Sequence, residues 1–335
     1  MVSRKQSKRK KFNKKKVAII SLSTLILLCG IGYLFRKELS VFAFNAVLKK
    51  DVKTTLNKSY KPVGYESQSP KIELSEPFSL LLLGIDQREG EPSRSDTIIY
   101  SVIRPKDDKI LLLSIPRDSY TDIIGRDVTS KINSAYAHGG AKMSIDTVEN
   151  LLKNKVNYYA AVNFNGLKDI VDAIGGVKLP ITEVIENKNP IHEKLRVEPN
   201  KPIYYGADAL SYVRYREDSD FKRTERQRIF ISSLMDKALE MKNISKIPEL
   251  IDIAGSNFTT NMDSEFILNL AETVYLKDSA PEIENYMLQG NGKMRGTTWY
   301  YDIDPEDLEY AQDLITSWLS SNSNDGNLLH PKNMD

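Results

Sequence analysis

Three apolar runs of strand length lie in the N-terminal half of the chain, and helical patterns follow them. FSLLLLGID, SDTIIYSVIRP and KILLLSIPRD begin at Phe78, Ser95 and Lys109, and their length and β-branched content predict strands. The next segments are SIDTVENLLKN, VNYYAAVNF and NGLKDIVDAIGG, whose apolar spacing predicts a helix, a strand and a helix. Strands and helices alternate without a repeat, which predicts one α/β domain with a layered, mixed sheet.

The C-terminal half continues the alternation. Helices are predicted for GADALSYVRYRE, RTERQRIFISSLMDKALEMK and SEFILNLAETVYL, and strands for ENYMLQG and TTWYYDID. The closing helix, PEDLEYAQDLITSWLS, has Asp304 as its candidate N-cap and Pro305 in its first turn. The polar residues 321–335 that follow predict a flexible tail.

One apolar run near the N-terminus is too long for a strand. Residues 17–35, VAIISLSTLILLCGIGYLF, carry no charge and are long enough to cross the core of a bilayer. Residues 1–16 hold nine Lys and Arg and no acidic residue, so the positive-inside rule predicts a cytoplasmic N-terminus and a single-pass type II anchor. A cleaved signal peptide is the alternative, but Ala43–Ala46 matches its cleavage site poorly.

The distribution of charge and the position of the single cysteine help to divide the chain into segments. The net charge of +2 conceals the basic residues 1–16, because the remainder of the chain is mildly acidic. A basic tail before an apolar span indicates a membrane as its partner and not nucleic acid. Cys29, the single cysteine, lies in the apolar run, so the part outside the membrane is expected to fold without disulfides. We interpret residues 36–76 as a polar stalk and residues 77–320 as the folded domain.

Acidic residues and arginines are placed at matching ends of the first three predicted strands. They form three pairs: Asp86 with Arg88, Arg94 with Asp96, and Arg117 with Asp118. If the strands run antiparallel, the end of the first, the start of the second and the end of the third lie at one edge of the sheet. Two carboxylates on neighbouring strands suit Mg²⁺, and arginines beside them suit a phosphate-bearing ligand. The alternative is a set of structural Asp–Arg pairs.

The stretch YVRYREDSDFKRTERQR, residues 212–228, holds five arginines and a lysine. The apolar stripe of the predicted helix includes Phe230, and running it backwards by three and four residues reaches Gln227 and Arg223, with Arg226 beside them. These side chains are therefore expected to face inward, which is costly for an arginine unless it meets a negative partner. The stretch predicts an anion pocket. A solvated helix face is the alternative.

Other arginines of the same stretch lie on either side of this inward face. Arg214 and Arg216 end the preceding predicted helix and flank the same bend, so they are expected to line the same pocket. Arg228 lies about 100° further round the helix than Gln227. We therefore expect Arg228 to lie off the buried stripe and to tolerate replacement by alanine.

Six longer motifs contain most of these residues: LLLGIDQR, RSDTIIYSVI, LLLSIPRDSY, KINSAYAHGG, VNFNGLKDIVDAIGGV and ALSYVRYR…DFKRTERQR. Together they resemble the LytR-CpsA-Psr family, and the resemblance extends from Phe78 to Met241. It implies a single layered α-β-α domain with a groove for a lipid chain. It also implies an enzyme of the cell membrane that moves an anionic, teichoic acid-like glycopolymer from undecaprenyl-pyrophosphate to a sugar hydroxyl of peptidoglycan.

The resemblance also implies roles for individual residues. Asp86 and Asp96 match positions that hold Mg²⁺ at the pyrophosphate. The positions that match pyrophosphate contacts are Arg88, Arg94, Arg117, Arg214, Arg216, Arg223 and Gln227. The implied reaction is attack of a sugar hydroxyl on the polymer phosphate, with departure of a polyprenyl pyrophosphate.

Such a step needs charge neutralisation more than covalent help, and we assign Arg117 and Arg216 to it. Asp86 or Asp118 is expected to take the hydroxyl proton. Two other functions remain open at this stage. One is a hydrolase that releases the lipid pyrophosphate, and the other is a regulator that binds wall polymer without turnover.

Overall fold

A six-stranded mixed sheet is the centre of the fold in a computed structural model, which describes residues 49–63, 72–86, 93–190, 193–240, 257–276, 280–324 and 326–332. In chain order the strands are β1 (Phe78–Asp86), β2 (Arg94–Arg104), β3 (Lys109–Ser114), β4 (Tyr120–Ile123), β5 (Val128–Lys131), β6 (Tyr158–Asn163), β7 (Ile185–Glu186), β8 (Arg196–Val197), β9 (Phe258–Thr260), β10 (Glu282–Met287), β11 (Gly290–Arg295) and β12 (Thr298–Ile303). The helices are α1 (Lys49–Ser59), α2 (Ser134–Leu152), α3 (Phe164–Ala173), α4 (Gly206–Arg214), α5 (Asp220–Glu240), α6 (Ser264–Leu276) and α7 (Pro305–Leu319).

The strand order of the central sheet is β10-β3-β2-β1-β6-β9. Strand β2 is antiparallel to both β1 and β3, which confirms the up, down, up arrangement expected from the sequence. Strand β6 joins β1 in parallel, and β10 joins β3 in parallel. The end of β1, the start of β2 and the end of β3 therefore lie at one edge of the sheet.

Both faces of the sheet are buried, which explains the near-continuous apolar runs of β1 and β3. On one face, Leu81 and Leu83 join a core with α2 and α7 that contains the fully buried Trp318. On the other face, Phe78 packs edge-on against Phe266 of α6, with ring centroids 5.5 Å apart. Each fully buried side chain of this size contributes roughly 1.5–3 kcal/mol to the hydrophobic stabilisation of the fold.

A second cluster packs helices on one another beside the sheet. Buried residues of α3 and α4, such as Val171, Ala209 and Tyr212, meet Phe230 of α5 there. The predicted stop after α3 is confirmed, since Gly175 and its neighbour have φ values of 85° and 81°. This cluster fixes the ends of α4 and α5, where the basic stretch lies.

The closing helix begins as the sequence predicts. The Asp304 carboxylate accepts hydrogen bonds from the backbone N–H groups of Glu306 and Asp307 at 2.9 and 3.2 Å, and Pro305 lies in the first turn. Helix α2, by contrast, begins at Ser134, ten residues before the predicted start. It contains a kink where Gly140 has a φ of 60°.

The predicted flexible tail and the predicted stalk both contribute residues to the fold. Leu328 is 6% exposed, and the backbone carbonyl of Leu329 accepts a hydrogen bond from the Trp318 indole at 2.8 Å, so the flexible-tail prediction is wrong for residues 326–332. Within the predicted stalk, Leu56 of α1 is 3% exposed. In both segments, leucines that the sequence places among polar residues find partners only in the folded chain.

The predicted membrane anchor, residues 17–35, and the basic residues 1–16 lie outside the described residues. Within the part of the chain that the structure describes, no helix combines the length and the apolar character needed to cross a membrane. The anchor therefore stays a prediction from the sequence.

Candidate active site

A β-bulge shapes the edge of the sheet where the acidic residues were predicted to meet. Asp86 lies opposite Arg94 and Gly84 lies opposite Thr97, and the register shifts between Gly84 and Ile85. Asp96 is therefore the additional residue of β2 at this bulge. Bulges redirect a side chain relative to the regular alternation of a strand, and they are common beside active sites. Gly84 permits the close approach, because a Cβ there would lie 2.9 Å from the Cβ of Thr97.

A cavity of about 700 Å³ opens at this edge, bounded by the sheet, α3, α4 and α5. It brings together predicted site residues from separate elements: Asp86, Asp96, Arg117, Arg214, Arg216, Arg223 and Gln227. The convergence of the two distant sequence regions on one site is thus confirmed. The rest of the wall combines polar residues with apolar ones. The polar residues are Thr97, Asn163, Asn187 and Glu193, and the apolar side chains are Val162, Phe164, Leu167, Leu195, Leu210 and Val213.

Arg117 connects the acidic residues of the site. Its Nη1 donates a hydrogen bond to Oδ1 of Asp96 at 2.7 Å, and its Nε lies 3.4 Å from Oδ2 of Asp118. The other oxygen of Asp118 is 2.7 Å from Nζ of Lys131. The Asp–Arg pairing that the sequence left as an alternative is therefore present, but the Asp96–Arg117 pair faces the cavity and is part of its lining.

Helix α5 turns Arg223 and Gln227 inward, as the apolar stripe predicts. They are 6% and 8% exposed, and both line the cavity. Gln227 also reaches the carbonyl oxygen of Val213 at 3.4 Å, which links α5 to the end of α4. The alternative of a solvated helix face is wrong for these positions.

Arg226 is buried beside them in a structural role. Its two Nη atoms donate hydrogen bonds to Asp218 at 2.7 and 2.9 Å and to the carbonyl oxygen of Tyr215 at 2.6 Å. Burial raises the pKa of Asp218, but hydrogen bonds from Arg226 and from the backbone outweigh this effect, so the pKa is lowered overall.

The prediction that Arg228 lies off the buried stripe is wrong. Arg228 is 8% exposed, and burial lowers the pKa of its guanidinium. Thr224, Arg226 and Gln227 are buried as well, so the N-terminal part of α5 is enclosed on several sides. The amphipathic-stripe argument assumed a single buried face, and that assumption does not hold here.

Arg214 and Arg216 bring charge from the end of α4. Arg214 donates a hydrogen bond to Oε2 of Glu193 at 2.6 Å, and its guanidinium lies 4.5 Å from the centroid of the Phe164 ring. Arg216 is exposed and lines the cavity. The Arg–Phe contact places the cation against an aromatic ring of the wall and adds to the stabilisation that Glu193 provides.

The other three predicted site residues are Arg88, Arg94 and Asp118, and neither Arg94 nor Asp118 is among the described residues that line this cavity. Arg94 is exposed and faces Asp86 across the β1–β2 ladder. Arg88 lies outside the described residues. Asp118 is only 7% exposed and lines a second, adjoining cavity of about 320 Å³. Arg117 and Arg223 line both cavities and so form their shared wall.

Sequence reasoning missed several residues of the site. Lys131 contacts Asp118 from β5, Glu193 contacts Arg214 from a loop, and Phe164 supplies the ring beneath Arg214. Glu193 lies in the charged segment HEKLRVE, and Lys131 and Phe164 lie in the motifs KINSAYAHGG and VNFNGLKDIVDAIGGV. Their contacts follow from the packing of distant segments, so the local pattern did not show which residues they pair with.

The residues present fit a magnesium ion, although the site offers few ligands. Asp86 and Asp96 supply two carboxylates to one cavity. Among the described residues there is no group of three or more His, Cys, Asp and Glu that could hold a metal. Mg²⁺ is commonly bound by one or two carboxylates together with water and substrate phosphates, so a pair of aspartates beside an anion site suits it.

The LytR_cpsA_psr family matches residues 46–316 of this chain. The chain is similar to the polyisoprenyl-teichoic acid–peptidoglycan teichoic acid transferase TagU of Bacillus subtilis (strain 168), with 32% identity over 304 residues, which cover 88% of this chain and 94% of TagU. Protein gbs0355 from Streptococcus agalactiae has a similar structure, with a TM-score of 0.68, 29% identity and coverage of 80% of this chain and 96% of that protein.

A third similarity is to TagT bound to LIIa-WTA, with a TM-score of 0.61 and 26% identity, covering 78% of this chain and 99% of TagT. The family match spans most of the chain, and each of these proteins is matched over nearly its whole length. The chain therefore belongs to the LytR_cpsA_psr family.

Proposed function

We propose that this protein is a transferase that moves a teichoic acid-like polymer from a polyisoprenyl-pyrophosphate carrier to peptidoglycan. The observation that carries the proposal is the cavity of about 700 Å³, where Arg117, Arg214, Arg216 and Arg223 converge from separate elements beside an apolar wall. Arginines are suited to phosphate because their planar donors bind it in a bidentate manner. The activity in the name of TagU, which is 32% identical to this chain, supports the same assignment.

The reaction we assign is phosphoryl transfer. The acceptor hydroxyl oxygen forms a bond to the phosphorus that carries the polymer, and the bond from that phosphorus to the bridging oxygen breaks. The bridging oxygen keeps the electron pair and leaves as polyprenyl monophosphate. The leaving group is therefore polyprenyl monophosphate and not the polyprenyl pyrophosphate expected from the sequence. The reason is that the bond that breaks is a P–O bond of the bridge between the two phosphorus atoms, so only one phosphate stays on the lipid.

Charge on the leaving phosphate is the main obstacle to this step. Arg117 and Arg223 line the cavity from different elements, and Arg214 and Arg216 add charge from the end of α4. Donors fixed by the fold at the place where negative charge develops lower the barrier without reorganisation. Asp86 lines the first cavity and Asp118 the second, and each is a candidate to receive the hydroxyl proton.

Magnesium is part of the proposal. Asp86 and Asp96 are the residues that would hold Mg²⁺, and the ion would neutralise charge on the pyrophosphate. Arg117 donates to Asp96 at 2.7 Å and so holds this carboxylate in place at the cavity. The apolar side chains of α3, α4 and β6 on the remaining wall suit the first isoprene units of the carrier.

We place the enzyme at the outer face of the cytoplasmic membrane, anchored by residues 17–35. A reporter enzyme that is active only outside the cytoplasm, fused after Lys50, tests this placement. The basic residues 1–16 predict an active fusion. A reporter that is active only in the cytoplasm contradicts the placement, and release of a shortened chain indicates a cleaved signal peptide.

The function itself is tested by following the fate of a synthetic lipid-linked polymer incubated with the purified full chain and peptidoglycan fragments. Polymer bound covalently to glycan, with release of polyprenyl monophosphate, supports the transferase. Free polymer phosphate supports the hydrolase instead, and tight binding without consumption supports a regulator.

A further inference from the structure

The second cavity adjoins the first across Arg117 and Arg223, and its lining differs in character. The lining residues are Pro116, Arg117, Asp118, Arg223, Thr224, Met287, Gln289, Gly290, Gly292, Trp299 and Tyr301. Beyond the shared arginines, Asp118 is the single charged residue among these described lining residues. The first cavity suits an anion, whereas the second suits an uncharged polar ligand with an apolar face.

The β11–β12 hairpin forms the outer wall of the second cavity. Tyr301 lies opposite Gly292 and Trp299 lies opposite Met294 in its register, so these four residues share one face of the hairpin. The Trp299 indole lies against Gly292, where a Cβ would be 2.8 Å from the ring. Trp299 is 39% exposed, which is high for a tryptophan in a folded domain.

The hairpin is fixed relative to Asp118. The backbone N–H of Tyr301 donates a hydrogen bond to the carbonyl oxygen of Asp118 at 2.9 Å. On the opposite face of the hairpin, the guanidinium of Arg295 lies 3.9 Å from the centroid of the Tyr120 ring. The indole and the carboxylate are therefore held as parts of one rigid wall, and the exposed ring is not a loose surface residue.

From this arrangement we infer that the second cavity binds the acceptor sugar of the peptidoglycan glycan, which stacks on Trp299 and presents its hydroxyl to Asp118. The inference rests on the proposed function. An exposed aromatic face beside polar groups suits a sugar ring, whose C–H groups are apolar and whose rim carries hydroxyls. The shared wall of Arg117 and Arg223 then lies between acceptor and donor, where the phosphoryl group must pass.

This placement assigns the proton acceptor. Asp118 is the carboxylate of the second cavity, whereas Asp86 lines the first. One oxygen of Asp118 is 2.7 Å from Lys131 and the other is 3.4 Å from Nε of Arg117. Each carboxylate oxygen accepts more than one hydrogen bond, so a hydroxyl can bind as well. The hydroxyl proton passes to Asp118 as the new bond to phosphorus forms.

Steady-state kinetics on the full chain, with synthetic lipid-linked polymer as donor and uncross-linked glycan strands as acceptor, test the inference. Trp299→Ala is expected to raise the KM for the glycan roughly tenfold and to change the KM for the donor less than about twofold. Trp299→Phe is expected to recover part of the loss. Lys293→Ala, on the opposite face of the same hairpin, is the matched control and is expected to behave as wild type. A rise in the donor KM instead makes the cavity a polymer site and overturns the inference.

Asp118→Asn is expected to lower kcat about a hundredfold while the donor KM is kept. A kcat close to that of wild type contradicts the role of Asp118.

A binding measurement separates failure of the inference from failure of the proposed function. The chain contains two tryptophans, and Trp318 is fully buried, so glycan strands are expected to change the fluorescence of Trp299 alone. Trp299→Phe should abolish the change. A fluorescence change without any transfer refutes the proposed function but keeps the sugar site. Normal transfer with no fluorescence change and a normal Trp299→Ala variant refutes the sugar site alone.

Discussion

Arginines lie at opposite ends of the β2–β3 pair in two contrasting environments. One end, which we call the closed end, is where β2 ends at Arg104 and β3 begins at Lys109. Arg104 is 3% exposed, and its Nε donates a hydrogen bond to Asp107 at 2.6 Å. Its Nη1 donates to the carbonyl oxygens of Trp318 and Ser320 at 2.5 and 3.0 Å, and its Nη2 donates to that of Ser323 at 2.6 Å. These donors bind fixed oxygen atoms of the fold, so Arg104 ties the end of α7 to the sheet.

The other end, which we call the open end, is where β2 begins at Arg94 and β3 ends at Ser114. There Arg117 pairs with Asp96, and both side chains line the large cavity. A carboxylate in such a pair can exchange its partner for a metal ion or yield the guanidinium to a phosphate. The carbonyl oxygens around Arg104 have no such alternative. Burial and ion pairing alone therefore do not separate structural arginines from functional ones. The nature of the acceptors and the size of the adjoining cavity do, since the cavity at Arg104 has a volume of only about 60 Å³, against about 700 Å³ at Arg117.

The largest expected effect is on catalysis at the open end. Asp96→Ala removes one of two carboxylates for Mg²⁺ and the partner of Arg117, so we expect transfer to fall about a thousandfold or more. Asp107→Ala is the matched control, because it removes the carboxylate partner of Arg104 at the closed end. Rates measured per folded molecule should be normal for this control. Full activity of Asp96→Ala in the presence of a chelator would refute the metal role.

The next effect is on stability at the closed end. Arg104→Ala leaves buried carbonyl oxygens without donors, so we expect the free energy of unfolding to fall by about 3 kcal/mol. Urea denaturation measures this loss, and the rate per folded molecule should stay near wild type. Arg216→Ala is the control, since Arg216 is exposed and its loss should leave stability unchanged. If Arg104→Ala slows catalysis as strongly as Asp96→Ala, the distinction between the two ends is lost.

Arg223 and Arg226 lie within one turn of α5 and allow the same comparison between a functional and a structural arginine. Arg223→Ala should remove one charge-assisted contact to the pyrophosphate, worth roughly 1.5–3 kcal/mol, and so slow transfer about tenfold to a hundredfold. Arg223→Lys should restore part of the rate, because an ammonium keeps the charge but not the planar fork. Arg226→Ala should reduce stability instead, since its donors bind Asp218 and Tyr215. Equal rate losses in both variants would show a diffuse basic surface.

The smallest effect is a pH dependence of the Asp218–Arg226 pair. Because the pKa of Asp218 is lowered in the folded state, its stabilising contribution is present above the unfolded value and is lost as pH falls through the folded value. Asp218→Asn should therefore cost at most about 1 kcal/mol at neutral pH, since the pair is partly exposed. Unfolding free energies measured from pH 7 to pH 3 should converge for the two proteins. A constant difference would contradict the pairing.

The sequence predicted the elements that carry strong local signals. Strands β1 to β3 are rich in apolar residues, and α7 has its cap at Asp304 and Pro305 in its first turn. Antiparallel alternation then placed Asp86, Asp96 and Arg117 at one edge without further information. These predictions succeeded because hydrophobic period and capping act within a few residues.

The features that the sequence did not predict depend on distant contacts. The bulge that displaces Asp96 needs Gly84 and Thr97 to meet across two strands. Strand β11 contains glycines and charged residues with weak strand propensity, and it forms because it pairs with β12. Arg228 is buried although it lies off the apolar stripe of α5, so a single-helix pattern misplaced it.

The most direct test of the account is a structure of the full chain with a polyprenyl-pyrophosphate-linked polymer bound. The account predicts both phosphates in the cavity at the open end of the sheet, within hydrogen-bonding distance of Arg117 and Arg223, with the isoprene units against the apolar wall. A pyrophosphate bound elsewhere, with Arg117 and Arg223 making no contact to it, would contradict the central claim.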